Sequence, residues 1–263
     1  MNTRAVAGRC GAMILAAGRG ERMRPLTDSC PKPLLKVGGK PLMQWLIEAL
    51  ARAGVHDILV NTDWLGEQIE DHFADRPVIQ PPRSPTGDRQ PANGLQVRLA
   101  YSREGRDFGG ALETAGGISR ALPQLADPFW LLAGDIFAPE FAFTDQRRAA
   151  FTNSDALAHI WLVPNPAQNP KGDFALSTDG LARNDGALRH TYSTMGLYRH
   201  ALFAPPYCAI APGNALGTRG ALAPLLRLAA QHDRLTAELY TGPWADVGTP
   251  ERLAHLQSSH VIT

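Results

Sequence analysis

Along the first half of the chain, short apolar runs alternate with segments whose apolar residues recur at helical spacing. This alternation predicts strands and helices in turn. Residues 12–17 form an unbroken apolar run that is typical of a buried parallel strand. Residues 41–53 carry apolar side chains at helical spacing and end at Gly54. The alternation continues with a strand at residues 56–61, a helix at 64–73, a strand at 95–101, a helix at 110–122 and a short apolar strand at 129–132.

The remainder of the chain carries weaker patterns. Residues 76–94 are rich in Pro, Gly, Arg and Asp and have no period, which indicates a loop or a disordered insertion. After Asp179 the strands are shorter, residues 191–198 being the clearest, and helices follow at residues 218–231 and after Pro250. Hexapeptide repeats of a left-handed β-helix are absent from the sequence. We therefore predict an α/β fold with a doubly wound, mostly parallel mixed sheet and a ligand at the carboxyl ends of its strands.

Composition narrows the class of protein further. The chain has 263 residues, 44% of them hydrophobic and 19% charged, and a formal net charge of +1, so neither nucleic acid nor an acidic membrane is expected as a partner. Its three cysteines, Cys10, Cys30 and Cys208, are widely spaced and are expected to be reduced thiols. Residues 1–11 lack the apolar core of a secretory signal, and no run is long enough to span a bilayer. These features favour a cytoplasmic enzyme, and they carry no signal for an oligomeric state.

The candidate chemistry begins directly after the first strand. Residues 15–27 read LAAGRGERMRPLT, and a lysine between two prolines follows in the sequence PKPL at residues 31–34. Two glycines let the backbone approach anionic oxygens closely, and Arg22 and Lys32 add full positive charges. The prolines restrict the backbone on both sides of Lys32, so we expect this lysine to reach back to the loop. The pattern predicts a phosphate-binding loop.

Two common phosphate-binding motifs do not fit this loop. A P-loop needs Gly-Lys-Ser/Thr four residues after its first glycine, and nothing after Gly18 matches it. A dinucleotide-binding fingerprint needs a third glycine where Met23 stands and a helix that begins there, which Pro25 opposes. Without Lys32, the two glycines and the arginines could equally form an ordinary strand-to-loop turn with the arginines on the surface.

Two acidic residues also follow apolar strands. Asp135 comes directly after the strand at residues 129–132 and Gly134, and Asp246 stands in the sequence WADVGTP at residues 244–250. A carboxylate at a strand end should meet a cation if it is buried, although an aspartate there also commonly starts a turn. From position alone both interpretations stay open.

These motifs together resemble the sugar-phosphate nucleotidyltransferases, also called nucleoside-diphosphate-sugar pyrophosphorylases. The resemblance implies a GT-A-type, Rossmann-like domain over residues 12–257, preceded by a flexible extension at 1–11, with a nucleotide half at about 12–135 and a sugar half at about 136–257. It implies catalytic roles for Arg22 and Lys32 and a Mg²⁺ ion on Asp135 and Asp246. The nucleotide-binding residues that it implies are Leu15, Ala16, Ala17, Gly18, Gly20, Glu21, Arg22, Lys32 and Ala133.

Within this family the chain looks most like the short uridylyltransferases that act on N-acetylmuramate 1-phosphate in cell-wall recycling. The similar segments are Asn61-x-x-Trp64-Leu65-Gly66, Asn165-Pro166, Gly172-Asp173-Phe174 and Trp244-x-Asp246-Val247-Gly248-Thr249. The resemblance implies UTP and a sugar 1-phosphate as substrates, with Glu113, Asn165 and Asp173 as sugar-binding residues. Asp173 could equally form a turn, and Trp64 and Phe174 could simply pack in the core.

Several positions depart from the family pattern. The Glu-Lys-Pro whose lysine grips the sugar phosphate in related glucose 1-phosphate enzymes is replaced by Val163-Pro164-Asn165-Pro166. Thr194 stands where related chains often have glycine, and Ala133 replaces an asparagine. Guanylyl or thymidylyl transfer to mannose or glucose 1-phosphate is therefore an alternative. A catalytically silent subunit that senses nucleotide sugars is another, although Arg22, Lys32, Asp135 and Asp246 are all present.

Overall fold

The computed structural model describes residues 8–74, 78–79 and 95–258. Its helices are α1 Leu42–Arg52, α2 Gly66–Ala74, α3 Glu104–Phe108, α4 Glu113–Ala121, α5 Asp145–Thr152, α6 Ala223–Gln231 and α7 Pro250–Ser258. Its strands are β1 Cys10–Ala16, β2 Lys36–Val37, β3 Lys40–Pro41, β4 Asp57–Thr62, β5 Val78–Ile79, β6 Leu95–Gln96, β7 Arg98–Arg103, β8 Leu125–Ala133, β9 Ile136–Phe137, β10 Ala158–Val163, β11 Phe174–Leu176, β12 Ala182–Arg183, β13 Arg189–Tyr198, β14 Leu235–Leu239 and β15 Ala245–Asp246.

A mixed sheet forms the centre of the molecule. Its order is β12-β11-β13-β8-β1-β4-β7, and β10 pairs with β13 and in turn with β14. The neighbours β8, β1, β4 and β7 are all parallel, whereas β13 runs antiparallel to both β8 and β10. The predicted doubly wound α/β sheet is confirmed, with its parallel part built from the first half of the chain.

The central strands are apolar on both faces because helices cover both sides of the sheet. Met13 lies opposite Leu59 and Leu131, and all three pack into one core. The next residue, Ile14, lies opposite Val60 and Leu132 in a second core on the other face. This double burial explains why β1 and β8 appear in the sequence as continuous apolar runs rather than as alternating ones.

The structure corrects one predicted helix and adds elements that the patterns did not show. Residues 218–222 are not helical, because Gly220 bonds instead to α4: its carbonyl accepts hydrogen bonds from the N–H groups of Ala115 and Gly116, and its own N–H donates to Leu112. Helices α3 and α5 and strands β10 and β14 had no clear sequence signal. Most of residues 76–94, and residues 1–7 of the expected extension, lie outside the described residues.

No helix within the described part of the chain is long and apolar enough to cross a membrane.

Candidate active site

The site lies where three parallel strands end side by side. Leu15 on β1 lies opposite Asn61 on β4 and Ala133 on β8, so the carboxyl ends of these strands meet at one edge of the sheet. Gly134 continues from β8 and donates its N–H to the Leu15 carbonyl at 2.8 Å. A Cβ at Gly134 would stand 2.9 Å from that carbonyl oxygen, so glycine is required for this close approach.

The glycine-arginine segment leaves β1 and folds into three short 3₁₀ turns, at Glu21–Met23, Leu26–Asp28 and Lys32–Leu34. Gly20 enters the first turn with a φ of 69°, a left-handed conformation that glycine adopts without strain. Met23 is fully buried in a small apolar cluster with Val37 and Leu42. Because Met23 anchors the turn, its neighbours Glu21 and Arg22 remain at the cavity described below.

The third turn carries Lys32, whose ammonium group forms an ion pair with Asp135. The two residues are 103 positions apart in sequence, and the Lys32 side chain is only 12% exposed. Lys32 lines the same cavity as Gly18, Gly20 and Arg22. This position agrees with the expectation that the lysine between two prolines reaches back to the loop. This pair joins the glycine-arginine segment to the end of β8.

Asp246 lies beside Asp135 across a two-stranded ladder. Strand β15 pairs antiparallel with β9, which places Asp246 opposite Ile136, and the Val247 N–H donates to the Asp135 carbonyl at 2.9 Å. The Asp246 carboxylate accepts hydrogen bonds of 2.5 Å from Gln168 and from Arg252. Two aspartates that are 111 positions apart in the chain are thus adjacent in the fold.

The donor set of these two aspartates fits a magnesium ion. No group of three or more His, Cys, Asp or Glu side chains forms a metal site within the described residues. Mg²⁺ commonly binds one or two carboxylates and takes its other ligands from substrate phosphates and water. Asp135 and Asp246 supply hard oxygen donors of this kind, and each is paired with a cationic side chain.

A cavity of about 710 Å³ opens in front of these strand ends. Its lining includes every expected nucleotide-binding residue: Leu15, Ala16, Ala17, Gly18, Gly20, Glu21, Arg22, Lys32 and Ala133. Asp135, Glu113 and Asp173 also line it. Asp246 lies just outside the lining, which includes its neighbour Gly248.

Asn165, which is expected to bind the sugar, is not among the residues that line the cavity. Its amide group donates hydrogen bonds to the carbonyls of Arg189, at 2.8 Å, and Pro170, and its oxygen accepts one from the Thr191 hydroxyl. These bonds tie the loop before β11 to strand β13. Asn165 is linked to Asp173 only through intermediates: Asn169 donates to both Asp173 and the Thr191 hydroxyl, which in turn donates to Asn165.

Two non-glycine residues at the cavity hold a left-handed backbone. Glu113, at the start of α4, has a φ of 59°, and Thr194 on β13 has a φ of 62°. Such a conformation is uncommon for a β-branched residue. Residues 193–195 form a bulge, since Ile160 and Leu162 of β10 lie opposite Gly196 and Tyr192. The position at which Thr194 departs from the family pattern therefore has a strained backbone on the β13 side of the cavity.

Glu104 is a cavity residue that sequence reasoning missed. It is fully buried, and its carboxylate accepts hydrogen bonds from Asn61 at 2.7 Å and from the Leu112 N–H at 2.8 Å. Burial raises the pKa of this carboxyl above its ordinary value, although the two hydrogen bonds oppose the shift. Its only sequence signal was its place directly after β7.

The cavity wall that includes α6 was indicated by the sequence only at Phe174. It includes Phe174 and Tyr192 from the sheet and Leu222, Leu226 and Arg227 from α6 and the segment before it. The possible role of Phe174 as a core residue is confirmed, since it is 3% exposed, but it lines the cavity as well. Trp64 instead packs on the glycine-arginine segment: it donates to the Thr27 carbonyl, and the Arg19 guanidinium lies 3.5 Å from its ring centre.

Comparison with known proteins supports the family that the motifs suggest. The family model described as Nucleotidyl transferase matches residues 11–172. The chain is 42% identical to an N-acetylmuramate alpha-1-phosphate uridylyltransferase of Neisseria meningitidis, over 94% of this chain and 96% of the relative. It is 29% identical to a protein of the same name from Caulobacter vibrioides, over 91% of this chain and 92% of the relative.

The fold is also similar to that of solved structures. A putative glucose-1-phosphate thymidylyltransferase from Bacillus anthracis, in complex with sucrose, superposes with a TM-score of 0.68 at 18% identity. The match covers 94% of this chain and 93% of that structure. From the family match, the full-length relative and the site at the strand ends, we conclude that this chain belongs to the nucleotidyl transferase family.

Proposed function

We propose that this protein transfers the uridylyl group of UTP to N-acetylmuramate 1-phosphate, giving UDP-N-acetylmuramate and pyrophosphate. The observation that carries the proposal is the 42% identity over nearly the whole length of both chains to an enzyme named for this reaction. The aligned region extends into residues 136–257, the half of the chain that is expected to bind the sugar. The sugar is one of the substrates by which the related enzymes differ. Such a reaction would return a cell-wall sugar to the nucleotide-activated pool during peptidoglycan recycling.

The reaction needs placement and charge neutralisation more than proton transfer. The sugar 1-phosphate is already anionic, so its oxygen can attack the α-phosphorus of UTP without a general base. A new bond forms from that oxygen to the α-phosphorus, while the bond from the α-phosphorus to the bridging oxygen breaks and pyrophosphate leaves with the electron pair. Fixed positive groups therefore supply most of the catalysis.

Arg22 and Lys32 are the protein cations that we assign to this task. Both line the cavity, and Arg22 has no ion-pair partner within 4.0 Å among the described residues. Arg22 is thus free to place its guanidinium on phosphate oxygens, while Lys32 is held at the end of β8 by Asp135. Backbone N–H groups of residues 16–20 can approach the same oxygens because the segment contains two glycines.

Asp135 and Asp246 would hold Mg²⁺, which, when bound, neutralises charge on the triphosphate and helps to orient it. The pairing of β9 with β15 keeps the two aspartates adjacent. Lys32 and Arg252 neutralise these carboxylates in the protein itself. The β13 side of the cavity, with Asp173 and Thr194, is then assigned to the sugar, and Asn61 and Glu104 to the region near the base.

A grid of substrates tests the proposal. Pyrophosphate release is measured with UTP, GTP, dTTP and ATP, each combined with the 1-phosphates of N-acetylmuramate, N-acetylglucosamine, glucose and mannose. We expect the highest kcat/KM for UTP with N-acetylmuramate 1-phosphate. Turnover only with GTP and mannose 1-phosphate would replace the proposal by the guanylyltransferase alternative, and no turnover with any pair would favour a silent sensing subunit.

A further inference from the structure

Arg227 is an exposed residue on the wall of the cavity that α6 contributes. It belongs to α6, and its guanidinium lies 5.3 Å from the ring centre of Phe174. Both side chains line the cavity. Within the described parts of the chain, the guanidinium has no carboxylate within 4.0 Å and donates no hydrogen bond. A guanidinium that lies near an aromatic ring and pairs with no carboxylate of the protein is available to an anionic ligand.

The surroundings of Arg227 do not supply that anion. Asp173, which is next to Phe174 in the sequence, also lines the cavity, and its carboxylate accepts hydrogen bonds from Asn169 and from the Tyr192 N–H. The other neighbours on this wall, Leu222 and Leu226, are apolar. The wall therefore offers apolar surface with one unpaired positive charge.

The phosphates of the reaction do not account for this charge. The sugar 1-phosphate must meet the α-phosphate of the nucleotide. The cations assigned to these phosphates, Arg22 and Lys32, lie on the glycine-arginine segment, where Lys32 pairs with Asp135. Arg227 comes from a different element, which packs on β12 and β14 at the other end of the sheet. Its anion should belong to another part of the substrate.

We propose that Arg227 binds a carboxylate carried by the sugar ring and thereby makes the enzyme selective for an acidic sugar 1-phosphate over its neutral counterpart. This inference rests on the proposed function, because N-acetylmuramate carries a lactyl ether that ends in a carboxylate. N-acetylglucosamine is the same sugar without that ether. A planar guanidinium can donate two parallel hydrogen bonds to a carboxylate, and the ring of Phe174 limits its orientations before the substrate arrives.

The two sugar 1-phosphates give a direct test. KM and kcat are measured for both with saturating UTP in the wild type, Arg227→Met, Arg227→Lys and the control Gln231→Met, an exposed position one turn along α6 that does not line the cavity. For Arg227→Met we expect KM for N-acetylmuramate 1-phosphate to rise roughly 10- to 100-fold, as for loss of a hydrogen bond to a charged group. KM for N-acetylglucosamine 1-phosphate and the behaviour of the control should not change, and Arg227→Lys should be intermediate.

The outcomes separate this inference from the proposed function. If the wild type itself prefers the neutral sugar 1-phosphate, the proposed substrate is wrong whatever the variants do. If the wild type prefers N-acetylmuramate 1-phosphate but Arg227→Met loses the same factor on both sugars, Arg227 serves the shared phosphate or the fold, and the inference is overturned. It is also overturned if Arg227→Met retains the wild-type preference.

Discussion

The side chain of Asn61 donates a 2.7 Å hydrogen bond to the buried carboxylate of Glu104, while its own oxygen accepts the Ala16 N–H at 2.8 Å. The second oxygen of Glu104 accepts the Leu112 N–H at 2.8 Å. Both ends of this chain of hydrogen bonds are backbone donors, so residue 104 has to accept twice. The two oxygens of a carboxyl group provide both acceptors, which explains why a glutamate stands at a fully buried position beside the cavity.

Asn61→Ala should therefore affect both stability and nucleotide binding. It removes the partner of the Ala16 N–H and one of the two partners of Glu104, and leaving a buried polar group unpaired costs about 1–3 kcal/mol. We expect the free energy of unfolding in urea to fall by about that amount. KM for UTP should rise, because Ala16 leads directly into the phosphate loop.

Asn153→Ala is the control for that experiment. Asn153 is an exposed residue at the end of α5 whose side chain makes no hydrogen bond among the described residues. The free energy of unfolding of the Asn153→Ala variant should differ from that of the wild type by no more than about 0.5 kcal/mol. If Asn61→Ala is as stable as this control and binds UTP as the wild type does, the chain of hydrogen bonds does not organise the site.

Gly134→Ala tests the close approach of β8 to β1. A methyl group at Gly134 would stand 2.9 Å from the Leu15 carbonyl oxygen, a backbone atom that cannot move without shifting β1. We expect a loss of stability of about 1–3 kcal/mol, as for other overpacked sites. The kcat/KM should also fall, because Asp135 is the next residue.

The matched glycine variant is Gly8→Ala. A Cβ at Gly8 would meet only the end of the Asp57 side chain, at 3.9 Å. The Gly8→Ala variant should have the same thermal midpoint and the same activity as the wild type. If Gly134→Ala has the same stability and activity as Gly8→Ala, a methyl group fits between Gly134 and the Leu15 carbonyl, and the close approach of β8 to β1 is wrong.

The sequence was sufficient for the parallel part of the sheet and for the position of Lys32 close to the other residues of the glycine-arginine segment. Residues 12–17 and 129–132 were identifiable because both faces of β1 and β8 are buried, which leaves no polar residue to interrupt the run. Lys32 was identifiable because two prolines restrict its position. Each of these signals is local in the chain.

The features that the sequence did not show depend on distant partners. The amide of Asn165 donates a hydrogen bond to the carbonyl of Arg189, which is 24 positions away. The left-handed backbone at Thr194 depends on a bulge against β10, and threonine itself opposes this conformation. Arg227 could not be assigned to the cavity before α6 was placed near Phe174.

The pH dependence of stability should include a contribution from His159. Its ring lies against Trp161, and burial lowers its pKa from 6.5 to about 4, with Glu238 opposing and Arg147 reinforcing the shift. Between pH 6.5 and 4 the unfolded chain binds a proton that the folded protein does not. The free energy of unfolding therefore falls as the pH drops through this window, by about 2–3 kcal/mol from this residue.

Urea unfolding at pH values from 7.5 to 4.5 measures this effect in the wild type and in His159→Gln. The variant cannot take up a proton at residue 159, so its curve of stability against pH should be flatter across the window. His255→Gln, in the last turn of α7, serves as the comparison and should keep the wild-type slope. Parallel curves for the wild type and His159→Gln would contradict the assigned role of His159.

Asp135→Asn addresses the central claim, that nucleotidyl transfer takes place at the end of β8. Asparagine keeps the shape of the side chain but loses the charge that pairs with Lys32 and that would hold Mg²⁺. The circular dichroism spectrum and the thermal unfolding of the variant are recorded beside the wild type, so that loss of structure can be distinguished from loss of chemistry.

The deciding measurement is the rate of pyrophosphate release from UTP and N-acetylmuramate 1-phosphate, with Mg²⁺ present, in the folded Asp135→Asn variant. We expect kcat to fall by a factor on the order of 10² or more, as when a single electrostatic group is removed from other active sites. A variant that folds like the wild type and turns over at the wild-type rate would contradict the assignment of Asp135 and, with it, the location of the reaction.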